Sequence, residues 1–240
     1  METLTFVVGV IGNIISVLVF LSPVKTFVRI VKQRSTEEFD SLPYICTLLN
    51  SCLWTYYGVT KPGSYLVATV NGFGIVVELI YVALFLAYAA TPRKRARTGI
   101  LAGILDVGVF GAAVLATALL LEGEAKINVI GFACAGLNII MYASPLAAMK
   151  TVVTQKSVEY MPFLLSFFLF VNGGVWTLYG VLMRDLFVGV PNGMGFLLGT
   201  LQLVLYAIYR NHKPAATLLP AHHLHNSHTD PLLPPSSQQF

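Results

Sequence analysis

The sequence predicts an all-α membrane protein: seven transmembrane helices arranged as two parallel three-helix bundles joined by a linker helix, a 3+1+3 plan. Three observations carry the prediction. Of 240 residues, 56% belong to the AVILMFWYC set and 11% are Asp, Glu, Lys or Arg, where soluble domains run at about 45–50% and about 25%. The few charges cluster between long uncharged runs, each long enough for the about 20 residues that a helix needs to cross a bilayer. The first three runs recur in the last three.

The runs are Thr3 to Val24, Ser41 to Thr60, Pro62 to Pro92, Thr98 to Leu121, Ile127 to Met149, Tyr160 to Met183 and Leu186 to Tyr209, interrupted only by Glu78 and Asp106. They lack the strict alternation of barrel strands, and backbone groups in lipid must bond within their own segment, so each is expected to be helical. Met1-Glu2-Thr3 has no basic lead and no small-residue cleavage site follows, so the first run is not expected to be a removable signal. Cys46, Cys52 and Cys134 all lie inside apolar runs and form no disulfide or metal framework. No cofactor and no metal site is expected. The net charge of +4 comes without a basic stripe interleaved with aromatics, which argues against nucleic acid.

Orientation follows from the Lys and Arg count on each side. Twelve of the fifteen fall on one side and only Lys61, Lys126 and Arg184 on the other. The richer side should face the cytosol, which places the N-terminus outside or in an organelle lumen and the C-terminus in the cytosol. Residues 211–240, rich in Pro, Ser, Gln and His, read as a disordered cytosolic tail that cannot bury a core. Its histidines read as composition rather than as metal ligands.

An offset of 122 superimposes Gly9 on Gly131, Ser22-Pro23 on Ser144-Pro145, Asn50 on Asn172, Trp54 on Trp176 and Tyr57-Gly58 on Tyr179-Gly180. An offset of 121 places Asn71-Gly72 on Asn192-Gly193. The repeats are residues 1–92 and 123–210, with residues 93–122 as the linker helix. Three helices per unit would invert a directly joined copy, and the linker crossing restores the same orientation. A site shared by paired residues is expected on the axis between the units.

Depth singles out the pairs. At about 1.5 Å per residue, Asn50 and Trp54 lie about 10 and about 16 Å beyond Pro43, and Asn71 about 14 Å beyond Pro62. Ser16 and its partner Asn138 fall at similar depth. An asparagine facing hydrocarbon is costly, so Asn50, Asn71, Asn138, Asn172 and Asn192 should face the bundle interior. Two readings stand: interhelical hydrogen-bond glue, or a pocket of neutral donors and acceptors with Trp54 and Trp176 as flat apolar walls. The second suits a ligand covered in hydroxyls, and the lack of charge disfavours amino acids, phosphates and metal ions.

Pro23 and Pro145 read as hinges, while Pro43 and Pro162 read equally as hinges or helix-start residues. Tyr57 and Tyr179 fall near the other ends of their spans, beside Asp185 and Lys61. A tyrosine bonded to Asp185, or a Lys61–Asp185 ion pair, would close that face; ordinary interfacial tyrosines are the alternative.

These residues resemble the plant SWEET sugar transporters. The likeness is carried by Phe20-Leu21-Ser22-Pro23-Val24, Arg34-Ser35-Thr36-Glu37-Glu38, Tyr142-Ala143-Ser144-Pro145-Leu146, Lys156-Ser157-Val158-Glu159-Tyr160-Met161-Pro162-Phe163 and Pro191-Asn192-Gly193, and it runs to about Arg210. Parallel repeats about an axis along the membrane normal are an arrangement for which this family is itself a standing example. The resemblance implies facilitated, bidirectional sugar movement by alternating access, and homo-oligomers or hetero-oligomers with family members.

Carried over by position, it implies a sugar pocket of Asn71, Asn192, Trp54 and Trp176, lined further by Ser16, Val19, Asn50, Asn138, Met141 and Asn172. It also implies a proline tetrad of Pro23, Pro43, Pro145 and Pro162 and a lumenal gate of Tyr57 with Asp185. Asn50 and Asn172 stand where sucrose-moving relatives carry serine, which implies hexoses. Val8-Gly9-Val10-Ile11-Gly12-Asn13, Tyr44-Ile45-Cys46-Thr47-Leu48 and Ser166-Phe167-Phe168-Leu169-Phe170 resemble the vacuolar clade, whose members move fructose and glucose across the tonoplast; the plasma membrane is the second location. Two rivals remain: a proton-coupled small-solute transporter of the PQ-loop type using Glu78, and a seven-span cargo receptor. This chain has Pro43-Tyr44 and Pro162-Phe163 in place of the Pro-Gln dipeptide.

Overall fold

The computed structural model describes residues 2–159, 161 and 163–211, and among them every regular element is helical. In chain order these are α1 (Glu2–Leu21), α2 (Val24–Gln33), α3 (Leu42–Thr60), α4 (Tyr65–Ala87), α5 (Pro92–Ala102), a π-helical segment (Gly103–Val109), α6 (Phe110–Leu120), α7 (Gly123–Met141), α8 (Ala143–Gln155), α9 (Phe163–Leu182) and α10 (Leu186–Tyr209). Six runs are long and apolar enough to cross a membrane: Glu2–Gln33, Tyr65–Ala87, Pro92–Leu120, Gly123–Gln155, Phe163–Leu182 and Leu186–Tyr209. The further helix, α3, has 19 residues and carries Asn50, Trp54, Tyr56 and Tyr57, which lower its hydropathy. The chain is a multi-pass membrane protein.

Spans one and five differ from their expected ends. The apolar run continues into a second helix in each case, α2 after a break at Ser22–Pro23 and α8 after a break at Tyr142. Pro23 stands between α1 and α2, and Pro145 is the third residue of α8, inside the first turn where a missing N–H costs least. Pro43 is the second residue of α3. Pro162 lies outside the described residues, as does all of the tail beyond Asn211.

Backbone geometry repeats at the same offset as the sequence. Arg34 and Lys156 end α2 and α8 in the left-handed region, at φ 52° and 51°. The turn before α4 uses Gly63 at φ 80°, and the turn before α10 uses Arg184 at φ 53°. A Cβ on Gly58 would meet the Ala68 nitrogen at 2.5 Å, and one on Gly180 would meet the Gly189 nitrogen at 2.5 Å. Small residues thus let α3 approach α4, and α9 approach α10, at backbone contact.

The units meet along α1 against α9 and α3 against α7. Their shared core holds Leu53, Trp54, Tyr57, Val67, Cys134, Trp176, Tyr179 and Val188. The α5–π–α6 run packs on α3 and turns outward, and its most apolar stretch contains no buried residue. The α2–α3 loop is tied to the start of that run. Thr36 donates its N–H to the Tyr88 carbonyl at 2.9 Å and its hydroxyl accepts from Ala90 N at 3.3 Å, while Ser41 and Thr98 hydroxyls bond at 2.8 Å.

Candidate functional site

A cavity of about 160 Å³ lies between the two units, lined by Ser16, Val19 and Phe20 of α1, Asn50 and Trp54 of α3, Val67, Val70 and Asn71 of α4, Asn138 of α7, Asn172 and Trp176 of α9, and Val188 and Asn192 of α10. No charged side chain lines it. The structure therefore brings together every residue expected in the pocket except Met141. That residue lines a second cavity of about 480 Å³, which adjoins the first through Val19, Asn50, Asn138, Asn172 and Asn192. The second cavity extends past Pro145, Met161 and Ser166.

Helical register sets the polar groups. Asn71 donates Nδ2–H to the Val67 carbonyl at 2.8 Å, and Asn192 does the same to Val188 at 2.8 Å. Each amide is held by its own preceding turn, and its carbonyl oxygen and second N–H remain for a ligand. Val67 and Val188, which sequence reasoning did not name, line the cavity one turn before these asparagines. Their signal was the i−4 spacing itself. Phe20 carried no such signal.

The indoles are fixed by bonds that cross between the units. Trp176 donates Nε1–H to Ser16 Oγ at 2.9 Å, and Ser16 donates to Asn172 Oδ1 at 2.6 Å. Trp54 reaches Asn138 Oδ1 at 3.4 Å, a longer copy of the same contact. Ser16 and Asn138 are repeat partners, so each tryptophan addresses the equivalent position of the other unit. Behind them Tyr57 meets Trp54 edge-on at 5.4 Å and Tyr179 meets Trp176 at 5.3 Å. Asn50 Oδ1 is buried without a partner among the described residues, so it is available to whatever fills the cavity.

One end is closed. The Tyr57 hydroxyl donates to the Asp185 carboxylate, with Oδ1 at 3.0 Å and Oδ2 at 2.9 Å. Lys61 Nζ lies 2.7 Å from Asp185 Oδ2 and donates to the Tyr57 hydroxyl at 3.1 Å. Asp185 also caps α10, accepting from Phe187 N at 3.0 Å and Val188 N at 3.3 Å. Both latch arrangements weighed from sequence, tyrosine to carboxylate and lysine to carboxylate, are thus present together. Tyr179 takes no part in them: it is buried under Trp176 and beside Gly9, whose Cβ would come within 2.9 Å of its ring.

Among the described residues no group of His, Cys, Asp and Glu could hold a metal, and the three cysteines are free. Glu78 is buried in α4 with Oε2 unpartnered among the described residues, and Asp106 is on the π-helical segment; neither lines the cavities.

The chain is similar to known proteins over almost all of its described length. A family model described as "Sugar efflux transporter for intercellular exchange" matches twice, at residues 6–93 and 128–214. "Bidirectional sugar transporter SWEET17" of Arabidopsis thaliana is 62% identical over 216 residues, covering 89% of this chain and 89% of that protein. "Bidirectional sugar transporter SWEET16" of the same plant is 56% identical over 216 residues, covering 89% and 93%. A solved structure of a eukaryotic SWEET transporter superposes with a TM-score of 0.84 at 41% identity, covering 87% of this chain and 98% of that one. With two copies of one family signature placed where its two sets of helices enclose the cavity, the chain belongs to the MtN3_slv family of sugar efflux transporters.

Proposed function

We propose that the chain is a bidirectional facilitative uniporter that moves hexoses, fructose and glucose, across the tonoplast by alternating access. One observation carries this reading: an uncharged cavity between the units, lined by asparagines and two indoles, closed at the Tyr57–Lys61–Asp185 end and continuous with a wider cavity at the Pro145 end. In it Asn71, Asn192, Asn50, Asn172, Asn138 and Ser16 bond sugar hydroxyls, and Trp54 and Trp176 cover the C–H faces of the ring. Asn50 and Asn172 occupy the space that serines would leave open, which favours a hexose over a disaccharide.

The cycle needs two movements. The Lys61–Asp185–Tyr57 latch parts at one face while helices hinged at Pro23, Pro43, Pro145 and Pro162 close the other. The two repeats, residues 1–92 and 123–210, move as units about the linker helix, residues 93–122. By the Lys and Arg distribution the Pro145 end and the C-terminus face the cytosol, and the tonoplast assignment rests on the vacuolar-clade resemblance of the sequence. Homo-oligomers are expected. A site that turns over at high sugar works with Kd near 1 mM, about 4 kcal/mol.

The test is uptake of radiolabelled fructose and glucose into proteoliposomes. Asn192→Ala and Trp176→Ala should each abolish uptake while the protein still inserts; near-normal uptake by both would overturn the pocket. Counterflow without a pH gradient should keep full activity, and dependence on the gradient would favour the proton-coupled rival.

A further inference from the structure

At the end opposite the latch, the first unit is filled by aromatic rings. Phe27 stacks on Tyr81 at 4.0 Å and 7°, and Tyr44 meets Phe27 edge-on at 4.9 Å. The repeat offsets place Met149, Ser166 and Gln202 at the positions of Phe27, Tyr44 and Tyr81. With a hydroxymethyl and an amide in place of two rings, that side of the second unit is hollow, and the 480 Å³ cavity lies there. It has three times the 160 Å³ of the central cavity.

Ser166 is 2% exposed and Gln202 is 5% exposed. Both line the wide cavity, and neither side chain bonds a described residue. A hydroxyl and an amide that lack protein partners and open on a cavity are satisfied by what fills it, water or a solute that can replace water there. The lining contains no Asp, Glu, Lys, Arg or His, so the partner is neutral. Gln202 offers two donors and an acceptor, and Ser166 offers one donor and an acceptor, a set that matches neighbouring hydroxyls of a polyol. Met141, Met161, Leu169 and Leu198 supply the apolar wall. Any solute leaving the central cavity at this end passes these groups.

We propose that the wide cavity is a second sugar station, in which one hexose is held by Gln202 and Ser166 before it enters, or after it leaves, the asparagine–tryptophan site. This rests on the transport reading above. It makes the two units unequal at this end: the equivalent space in the first unit holds the stacked rings and has no matching station.

The test is equilibrium binding of radiolabelled fructose to the purified chain in nanodiscs. The unsubstituted chain should show two components. Trp176→Ala with Asn71→Ala, both confined to the central cavity, should remove one and leave the other, and adding Gln202→Leu with Ser166→Ala should weaken the remainder about threefold to tenfold or more, the effect of losing neutral hydrogen bonds. A single component that Gln202→Leu and Ser166→Ala leave unchanged overturns the station and keeps the transport reading. Absence of fructose binding in the unsubstituted chain overturns both. A second readout does not depend on removing polar groups: Ser166→Cys, labelled by a small water-soluble thiol reagent above the background of the three native cysteines, should be protected by fructose even when Trp176→Ala is present. Equal labelling with and without fructose overturns the station.

Discussion

In the first unit, Phe27, Tyr44, Tyr81 and Phe85 form one interlocked aromatic block, and Tyr81 anchors it by donating its hydroxyl to the Phe20 carbonyl at 3.0 Å. In the second unit the Phe20 position is Tyr142, whose hydroxyl bonds the Pro191 carbonyl on α10, and the Tyr44 and Tyr81 positions are Ser166 and Gln202 on the wall of a cavity. At the other end the latch belongs to one side only, but the packing beneath it agrees: Gly58 and Gly180 touch their neighbouring helices at backbone distance, and both tyrosines lie under a tryptophan. The difference teaches where duplication is constrained. Close backbone approach tolerates no side chain, so both copies keep it. Side-chain filling is free to diverge, and divergence there hollows one half.

The comparison breaks most severely at the shared contact. Gly180→Leu should leave no monodisperse protein on size exclusion, because its Cβ alone would stand 2.5 Å from the Gly189 nitrogen and overpacking costs about 1–3 kcal/mol even in milder cases. Gly58→Leu should do the same; tolerance of either would show that the two contacts are not equivalent.

Next in size is the latch. Asp185→Ala removes the α10 cap and the charged bond from Tyr57 and leaves the partly exposed Lys61 without its partner, a loss of about 2–4 kcal/mol that thermal unfolding in detergent should register. Its repeat position, Ser64, caps nothing and has no partner for its hydroxyl among the described residues, so Ser64→Ala should leave the unfolding temperature almost unchanged.

Exchanging the divergent positions sharpens the contrast. Tyr81→Gln removes the stacked ring and its bond to Phe20, and should cost about 2 kcal/mol or more, in the range of large-to-small core changes. Gln202→Tyr should keep the fold, fill the wide cavity and slow hexose flux in the proteoliposome assay. Smallest is Tyr142→Phe, which restores the first unit's residue type and gives up one hydrogen bond, about 1 kcal/mol, read as a small drop in unfolding temperature.

Much of the central cavity was legible before the structure, because a duplicated sequence reports twice. Asn71 and Asn192 stand out as a pair at one depth, and so do Trp54 and Trp176. Met141 was placed by likeness alone, and it lines the wide cavity rather than the central one. The crossed bonds from Trp176 to Ser16 and from Trp54 to Asn138 were not legible, since nothing in either unit says which face of α1 meets α9. The π-helical segment at Gly103–Val109 was also invisible, as its extra residue per turn leaves no mark in an apolar run.

The amino-acid order alone determined that the chain crosses a bilayer in helices, that it carries two copies of a three-helix unit, and that the paired asparagines and tryptophans fall near the middle of their runs. Those are consequences of length, charge and periodicity, which act locally along the chain. Tertiary packing decided which of the polar groups meet across the units, which end is latched by Lys61, Tyr57 and Asp185, and that the space beyond Asn192 is hollow on one side only. Those outcomes depend on distances between residues far apart in the chain, 84 positions for Trp54 and Asn138 and 160 for Ser16 and Trp176, where a ring or an amide at one site sets whether two helices touch or leave a cavity between them.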